Sequence, residues 1–248
     1  MSTGPALDVL TAEAHRLALP LDAVAFDRFA TYLDLLEAWR GRAGLTAITD
    51  RDEVQRRHFG EALALLVTLR ASGVMRAGVT TRVVDLGSGA GFPGLPMRIA
   101  EPGLQLTLVE ANARRCRFLE AAVDALALDH VAVVQARAEE AGRDPALRAT
   151  FDLAVARALA PLAVLVEYAL PLVRDGGALA AQKGSRAAEE LAEAGGAIAT
   201  LNGTVEAILS LPVTPGTAPQ QVVIVRRSGI LDERFPRRAG MPSRRPLR

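Results

Sequence analysis

The chain has 248 residues, half of them hydrophobic and only 4% aromatic, with 29 cations against 28 acids, so it can bury a large, mostly aliphatic core in one main α/β domain with an appendage. Cys116 is the only cysteine, which excludes an internal disulfide and a thiolate cluster, and three scattered histidines have no ligand spacing, so no metal is expected. The most apolar stretch, 153–173, is broken by Arg157, Pro161, Glu167 and Pro171 and cannot cross a membrane, and no basic run followed by an apolar one opens the chain, so the protein is expected to be cytoplasmic.

Residues 1–75 read as a helical segment. Asp22 precedes an amphipathic run in which Val24, Phe29, Leu33, Leu36 and Trp39 fall mostly at helical spacing. The pairs Thr49 with Asp52 and Asp50 with Glu53 resemble N-terminal capping patterns before a second run through Leu63, Leu66 and Leu69. From 76 to 228 short β-type runs alternate with helical ones. Strands are predicted at 82–86, 104–109, 130–135, 151–156 and 178–182, and helices at 94–100, 113–127, 161–173 and 186–199. Such alternation implies a parallel sheet covered on both faces. Two further strands, 205–211 and 220–226, have no helix between them and read as a terminal hairpin. Residues 229–248 form a basic tail.

The run Arg82-Val83-Val84-Asp85-Leu86-Gly87-Ser88-Gly89-Ala90-Gly91-Phe92-Pro93-Gly94 is a strand that ends in an acid and enters a glycine-dense turn, the form of a cofactor-binding loop. Gly89-x-Gly91-x-x-Gly94 matches the dinucleotide fingerprint formally, but that fingerprint should begin at the strand end, where Gly87 sits, and from there the third position falls on Phe92. Asp85 would repel a pyrophosphate, yet it can hold the ammonium of S-adenosylmethionine (SAM). The order Asp85, Gly87, Ser88, Gly89, Gly91 therefore favours SAM. With seven strands and the hairpin, the expected fold is that of a class I SAM-dependent methyltransferase: a Rossmann-like, mostly parallel seven-stranded sheet with an antiparallel C-terminal pair, plus the helical segment.

Other strand tips supply further candidates. Glu110 ends the second strand, where an acid grips ribose hydroxyls of a nucleoside. Ala138 and Glu139 follow the third, at the adenine edge of a SAM site; alone, Glu139 would read as a solvated loop acid. Arg157 follows the fourth, at the seam between cofactor and substrate, its structural alternative being an arginine paired with a surface carboxylate. The Asn/Asp-Pro-Pro-aromatic element of exocyclic-amine methyltransferases is missing there, and Cys116 reads as a small buried helix residue. An already nucleophilic acceptor such as guanine N7 would need only orientation. Between Arg226 and Arg248 eight arginines face two acids, a net +6 that leaves −5 on the rest, so an anionic partner is expected at this end, with a solvated tail as the alternative. Lys183 is the one lysine among the 29 cations. A SAM enzyme acting on a small molecule or protein, a nucleotide-dependent oxidoreductase and a non-catalytic RNA-binding protein on this scaffold remain as other classes.

The residues also resemble a family, the bacterial 16S ribosomal RNA guanine-N7 methyltransferases known as RsmG or glucose-inhibited division protein B. The resemblance rests on Leu45-Thr46-Ala47-Ile48, Arg57-His58, the loop Asp85 to Pro96, Val109-Glu110, Arg137-x-Glu139, Arg157-Ala158, Lys183-Gly184 and the ending Phe235-Pro236-Arg237-Arg238-Ala239-Gly240 with Arg245-Pro246-Leu247. The chain differs at Gly44, where the family has asparagine, at Glu61-Ala62, where it has Asp-Ser, at Ala111, where it has serine, and at Arg114 and Arg115, where it has lysine. The resemblance implies methyl transfer from SAM to N7 of one guanosine in the decoding-region loop, with 16S ribosomal RNA or a precursor of the small subunit as partner; the oligomeric state is left open by the sequence, with a monomer as the expectation. It puts Gly87 and Phe92 at the methionine end, Glu110 at the ribose, Ala138 and Glu139 at the adenine and Arg157 at the boundary of cofactor and substrate. The place of Arg157 just past the fourth strand makes it the candidate catalytic residue as well as a cofactor contact, and the charge of the ending puts Lys183, Arg237, Arg238, Arg244 and Arg245 on the RNA side.

Overall fold

A computed structural model describes residues 7–248; the first six residues of the expected 1–75 segment lie outside them. Helices α1 (Asp8–Arg16), α2 (Ala23–Ala38), α3 (Arg51–Val54) and α4 (Glu61–Ala71) come first, with a π-helical turn, Gln55–Gly60, joining α3 to α4. Asp22 caps α2, accepting the Ala25 N–H at 2.7 Å, and of the two capping patterns read before the second run the Asp50 one forms, accepting the Glu53 N–H at 2.9 Å, whereas Thr49 precedes the cap. No sequence pattern announced the π-turn.

The rest alternates strictly: β1 (Thr81–Leu86), α5 (Gly94–Ala100), β2 (Leu104–Glu110), α6 (Ala113–Ala125), β3 (Val131–Gln135), α7 (Ala138–Ala141), β4 (Phe151–Arg157), α8 (Leu162–Ala169), β5 (Val173–Lys183), α9 (Ala187–Thr200), then β6 (Gly203–Ser210), β7 (Gln221–Arg227) and α10 (Met241–Arg244). The seven strands lie in the order β3-β2-β1-β4-β5-β7-β6, the first five parallel and β7 antiparallel to both neighbours. This is the class I methyltransferase arrangement that the sequence predicts. One predicted helix is shorter than expected. The run 161–173 stops at Ala169, because Pro171 cannot continue a helix and Val173 already pairs with Phe151 in the sheet.

Alternate strand residues go to opposite faces, and both faces are covered. Val83, Leu153 and Val155 join the core formed with α1–α6, whereas Val84, Ala154 and Ala156 join the one formed with α7–α9 and Phe235. The helical segment thus shares a core with the sheet. Six of the ten aromatic residues meet at this junction: Tyr32 contacts Phe59, Phe92 and Phe118, while Phe29 packs on Phe59 and Trp39 on Phe118. Each such pair contributes about 0.5–1.5 kcal/mol beyond its buried area. The Tyr32 hydroxyl donates to the Ala90 carbonyl, tying α2 to the glycine loop. No described helix is long and apolar enough to cross a membrane.

The basic tail is a folded strap. Phe235 is buried against the α8 side of the sheet, and Arg143 and Arg148 donate to the carbonyls of Pro236 and Phe235 at 2.7 and 2.6 Å. Arg237 pairs with Glu167 of α8, whose side chain is fully buried, through contacts of 2.6–3.1 Å. Removing Arg237 strands that carboxylate. Arg237→Ala should therefore cost about 3 kcal/mol in urea unfolding, against less than about 0.5 kcal/mol for exposed Arg238→Ala on the same strap. Equal effects would mean that the pair does not hold the strap.

Candidate active site

The glycine loop lies where β1 ends, and its conformation explains its composition. Gly87, Gly89 and Gly91 have φ of +66°, +60° and +93°, which side chains rarely tolerate. Their surroundings differ. A Cβ on Gly91 would strike Leu95 and the Tyr32 hydroxyl, and one on Gly94 would lie 2.7 Å from Asp85 Oδ2, so these two serve packing. At Gly87 the Leu159 side chain presses directly on the backbone. Only at Gly89 is the space open, its nearest neighbour being the Gly87 carbonyl at 3.8 Å. Ser88 is buried and turns its hydroxyl back to the Asp85 carbonyl at 2.9 Å.

Two acids flank this loop. Asp85 is fully buried; its Oδ2 accepts the Gly94 N–H at 2.9 Å, and its Oδ1 has no hydrogen-bonding partner among the described residues. Burial pushes its pKa up to about 7, against the opposing pull of the Gly94 N–H and of Arg157. Glu110, at the tip of β2, accepts the Gly89 N–H at 2.9 Å and the Asn112 N–H at 2.8 Å, which locks the loop to the neighbouring strand. Each of its oxygens keeps a second lone pair. Cys116 is buried and points its thiol at the Glu110 carbonyl, 3.2 Å away. Ala138 opens α7, and Glu139, also buried, accepts the Gly240 N–H of the strap at 2.7 Å.

Arg157 ends β4 beside a cleft of about 560 Å³ that also includes Arg57, His58, Glu61, Lys183 and Glu190. Its side chain is 15% exposed, and the helical segment holds the guanidinium: Nη1 donates to the Arg57 carbonyl at 3.1 Å and to Glu61 Oε2 at 3.2 Å, and Nη2 to His58 Nδ1 at 3.1 Å. It also sits 5.4 Å from the centre of the Phe92 ring, on which His58 stacks at 4.3 Å. Ala158, the next residue, takes φ of +54°, a conformation worth about 1–3 kcal/mol of strain in a non-glycine residue. The partner of Arg157 is thus a buried acid, and this engagement of Glu61, His58 and the Arg57 carbonyl has no sequence signal except the Arg57-His58 pair. Lys183, at the end of β5, donates to the Ala160 carbonyl and pairs with Glu190, both at 2.7 Å. The structure thus groups the loop, Glu110, Arg157 and Lys183 along the carboxyl edge of the sheet. Arg238, Arg244 and Arg245 line a separate groove of about 520 Å³ on the strap, whereas Arg237 faces inward to Glu167.

Residues 26–214 match the model of the family described as rRNA small subunit methyltransferase G. This chain belongs to that family. A ribosomal RNA small subunit methyltransferase G from Chloroflexus aggregans is 42% identical over 229 residues, 92% of this chain and 93% of the relative. One from Desulfitobacterium hafniense is 37% identical over 233 residues, 94% of each chain. Among solved structures, a mutant form of MtNAS shares the fold with a TM-score of 0.55 at 16% identity, covering 89% of this chain and 82% of that one. A methyltransferase needs a methyl donor, and SAM is the cofactor that fits this loop. Asp85 offers a buried, unpartnered oxygen beside the glycines, Gly89 leaves its backbone uncovered, and Glu110 keeps acceptor capacity at the second strand tip.

The raised pKa of Asp85 has a sign that can be tested. The folded protein holds the carboxyl proton up to about pH 7, whereas the unfolded chain releases it near pH 3.8, so the stability linked to this group is lost as pH rises through that window. Asn cannot ionise. The melting temperature of Asp85→Asn should rise relative to the parent between pH 5 and 8; a difference independent of pH would return Asp85 to the ordinary carboxylate range.

Proposed function

We propose that the protein transfers the methyl group of SAM to N7 of a guanosine in the decoding-region loop of 16S ribosomal RNA. SAM supplies a sulfonium methyl, the electrophile. The observation that carries the choice of N7 is the state of the cleft's proton-accepting groups. Glu61 and Glu190 are each paired with a cation, and His58 Nδ1 already accepts from Arg157. Each of these groups, among the described residues lining the cleft, is thus already engaged by a cation, which favours an acceptor that needs no base. Guanine N7 carries a lone pair and no proton, so it can attack without a base, and positioning is what the site must supply. A ribosomal RNA or small-subunit precursor as substrate implies work in the cytoplasm.

In this reading Asp85, Gly87, Ser88, Gly89, Gly91 and Phe92 shape the methionine end, Glu110 binds the ribose, and Ala138 with Glu139 flanks the adenine. Arg157 orients the reacting groups and neutralises charge on the RNA. Lys183, at the far side of the cleft, and the exposed Arg238, Arg244 and Arg245 meet phosphates. Arg237, also expected on the RNA side, contributes by fixing the strap that carries the other three.

Two substitutions divide cofactor binding from turnover. Gly89→Val places a side chain in open space at positive φ, costing about 1–2 kcal/mol in backbone strain alone, and should abolish SAM binding in calorimetry. Arg157→Ala should keep SAM affinity within a few-fold but slow single-turnover methylation at saturating SAM, with N7-methylguanosine in 16S ribosomal RNA as the readout. A parental rate for Arg157→Ala would confine it to structure, and a methyl group found on another atom would remove the N7 assignment.

The strap makes a separate claim. Replacing Arg238, Arg244 and Arg245 together by Ala should leave SAM binding and melting unchanged while weakening RNA binding, and each phosphate left without its arginine should flatten the slope of log affinity against log salt by about 0.7–0.9. Unchanged affinity and slope would show that the strap does not face the RNA.

A further inference from the structure

We propose that His58 is a positioning residue for methyl transfer, whose Nδ1 is the acceptor that aims the Arg157 guanidinium into the cleft. The inference rests on the role given above to Arg157. A guanidinium has only donors, so at 3.1 Å from Arg157 Nη2 the Nδ1 atom must accept. The ring proton is then on Nε2, which donates to Thr46 Oγ1 at 2.8 Å. That hydroxyl also accepts the Ile48 N–H at 3.0 Å, so backbone and side chain together hold the imidazole in this tautomer. Burial and the nearby Arg157 and Arg57 lower the His58 pKa to about 3, and the ring stays neutral and able to accept at physiological pH.

The same ring stacks on Phe92 with planes 18° apart. His58 therefore touches both the cofactor loop and the guanidinium, and it sets the distance between them. Glu61 and the Arg57 carbonyl hold only Nη1. Without Nδ1, Nη2 is deprived of this partner, and the guanidinium can rotate about its remaining contacts.

The test separates the acceptor from the ring. His58→Phe keeps a stacking ring and removes the acceptor; His58→Asn keeps an acceptor and removes the ring. Both are measured on the full chain with unmethylated 16S ribosomal RNA, alone and combined with Arg157→Ala, alongside melting and SAM calorimetry. His58→Phe should bind SAM as the parent does and turn over about 10- to 100-fold more slowly, with KM for RNA changed little. His58→Asn should recover a good part of that rate. In the Arg157→Ala background His58→Phe should cost nothing further. A parental rate for His58→Phe, or equal losses in the two variants, would overturn the proposal, as would a full loss that persists in the Arg157→Ala background. If Arg157→Ala alone turns over normally, the role of Arg157 itself has failed, and a slow His58→Phe would then act by another route.

Discussion

A guanidinium cannot shed its proton to escape burial, and the placement of Arg157 at the end of β4 makes that constraint central to the molecule. Desolvating such a charge costs several kcal/mol unless every donor direction meets an acceptor. The sheet does not supply these acceptors. They come from three residues, Arg57, His58 and Glu61, within one short stretch at the π-turn and the start of α4. The helical segment is therefore part of the site. Its docking is apolar as well as ionic, through Tyr32 and Phe59 against Phe92 of the glycine loop, with Phe29 packed on Phe59. With so few aromatic residues in the chain, their concentration here marks where rigidity is needed.

The opposite side of the sheet is arranged by a similar rule with the signs reversed. Glu167 is buried in α8 and draws Arg237 of the strap onto it, while Arg143 and Arg148 take the strap's carbonyls. The arginines of the tail therefore divide by role. Arg237 is spent inside, whereas Arg238, Arg244 and Arg245 face solvent. The strap also reaches the candidate cofactor site, since Gly240 donates to Glu139. The candidate cofactor site and the strap that carries the exposed arginines are in this way joined through one hydrogen bond.

Much of this was legible in the sequence because it depends on local rules. Alternating short apolar and amphipathic runs, with Asp22 and Asp50 as caps, predicted the sheet and its helices, and the spacing from Asp85 to Gly94 marked the loop. Local rules also explain the one helix drawn too long, since Pro171 allows a strand to begin at Val173. Pairings between distant positions were not legible. Nothing in the composition of Gln55–Gly60 distinguishes a π-turn from an α-helix. The pairing of Glu61 emerged only when α4 was seen against β4.

The sequence by itself determined the family, the fold class and the glycine loop that is the candidate cofactor site, because each is written in contiguous spacing and backbone preference. Only the tertiary structure decided which charges meet. A buried ion pair forms between residues nearly a hundred positions apart, Arg157 with Glu61 or Arg237 with Glu167 seventy apart, and its existence depends on desolvation at one place in the packed molecule, a quantity that no local pattern encodes.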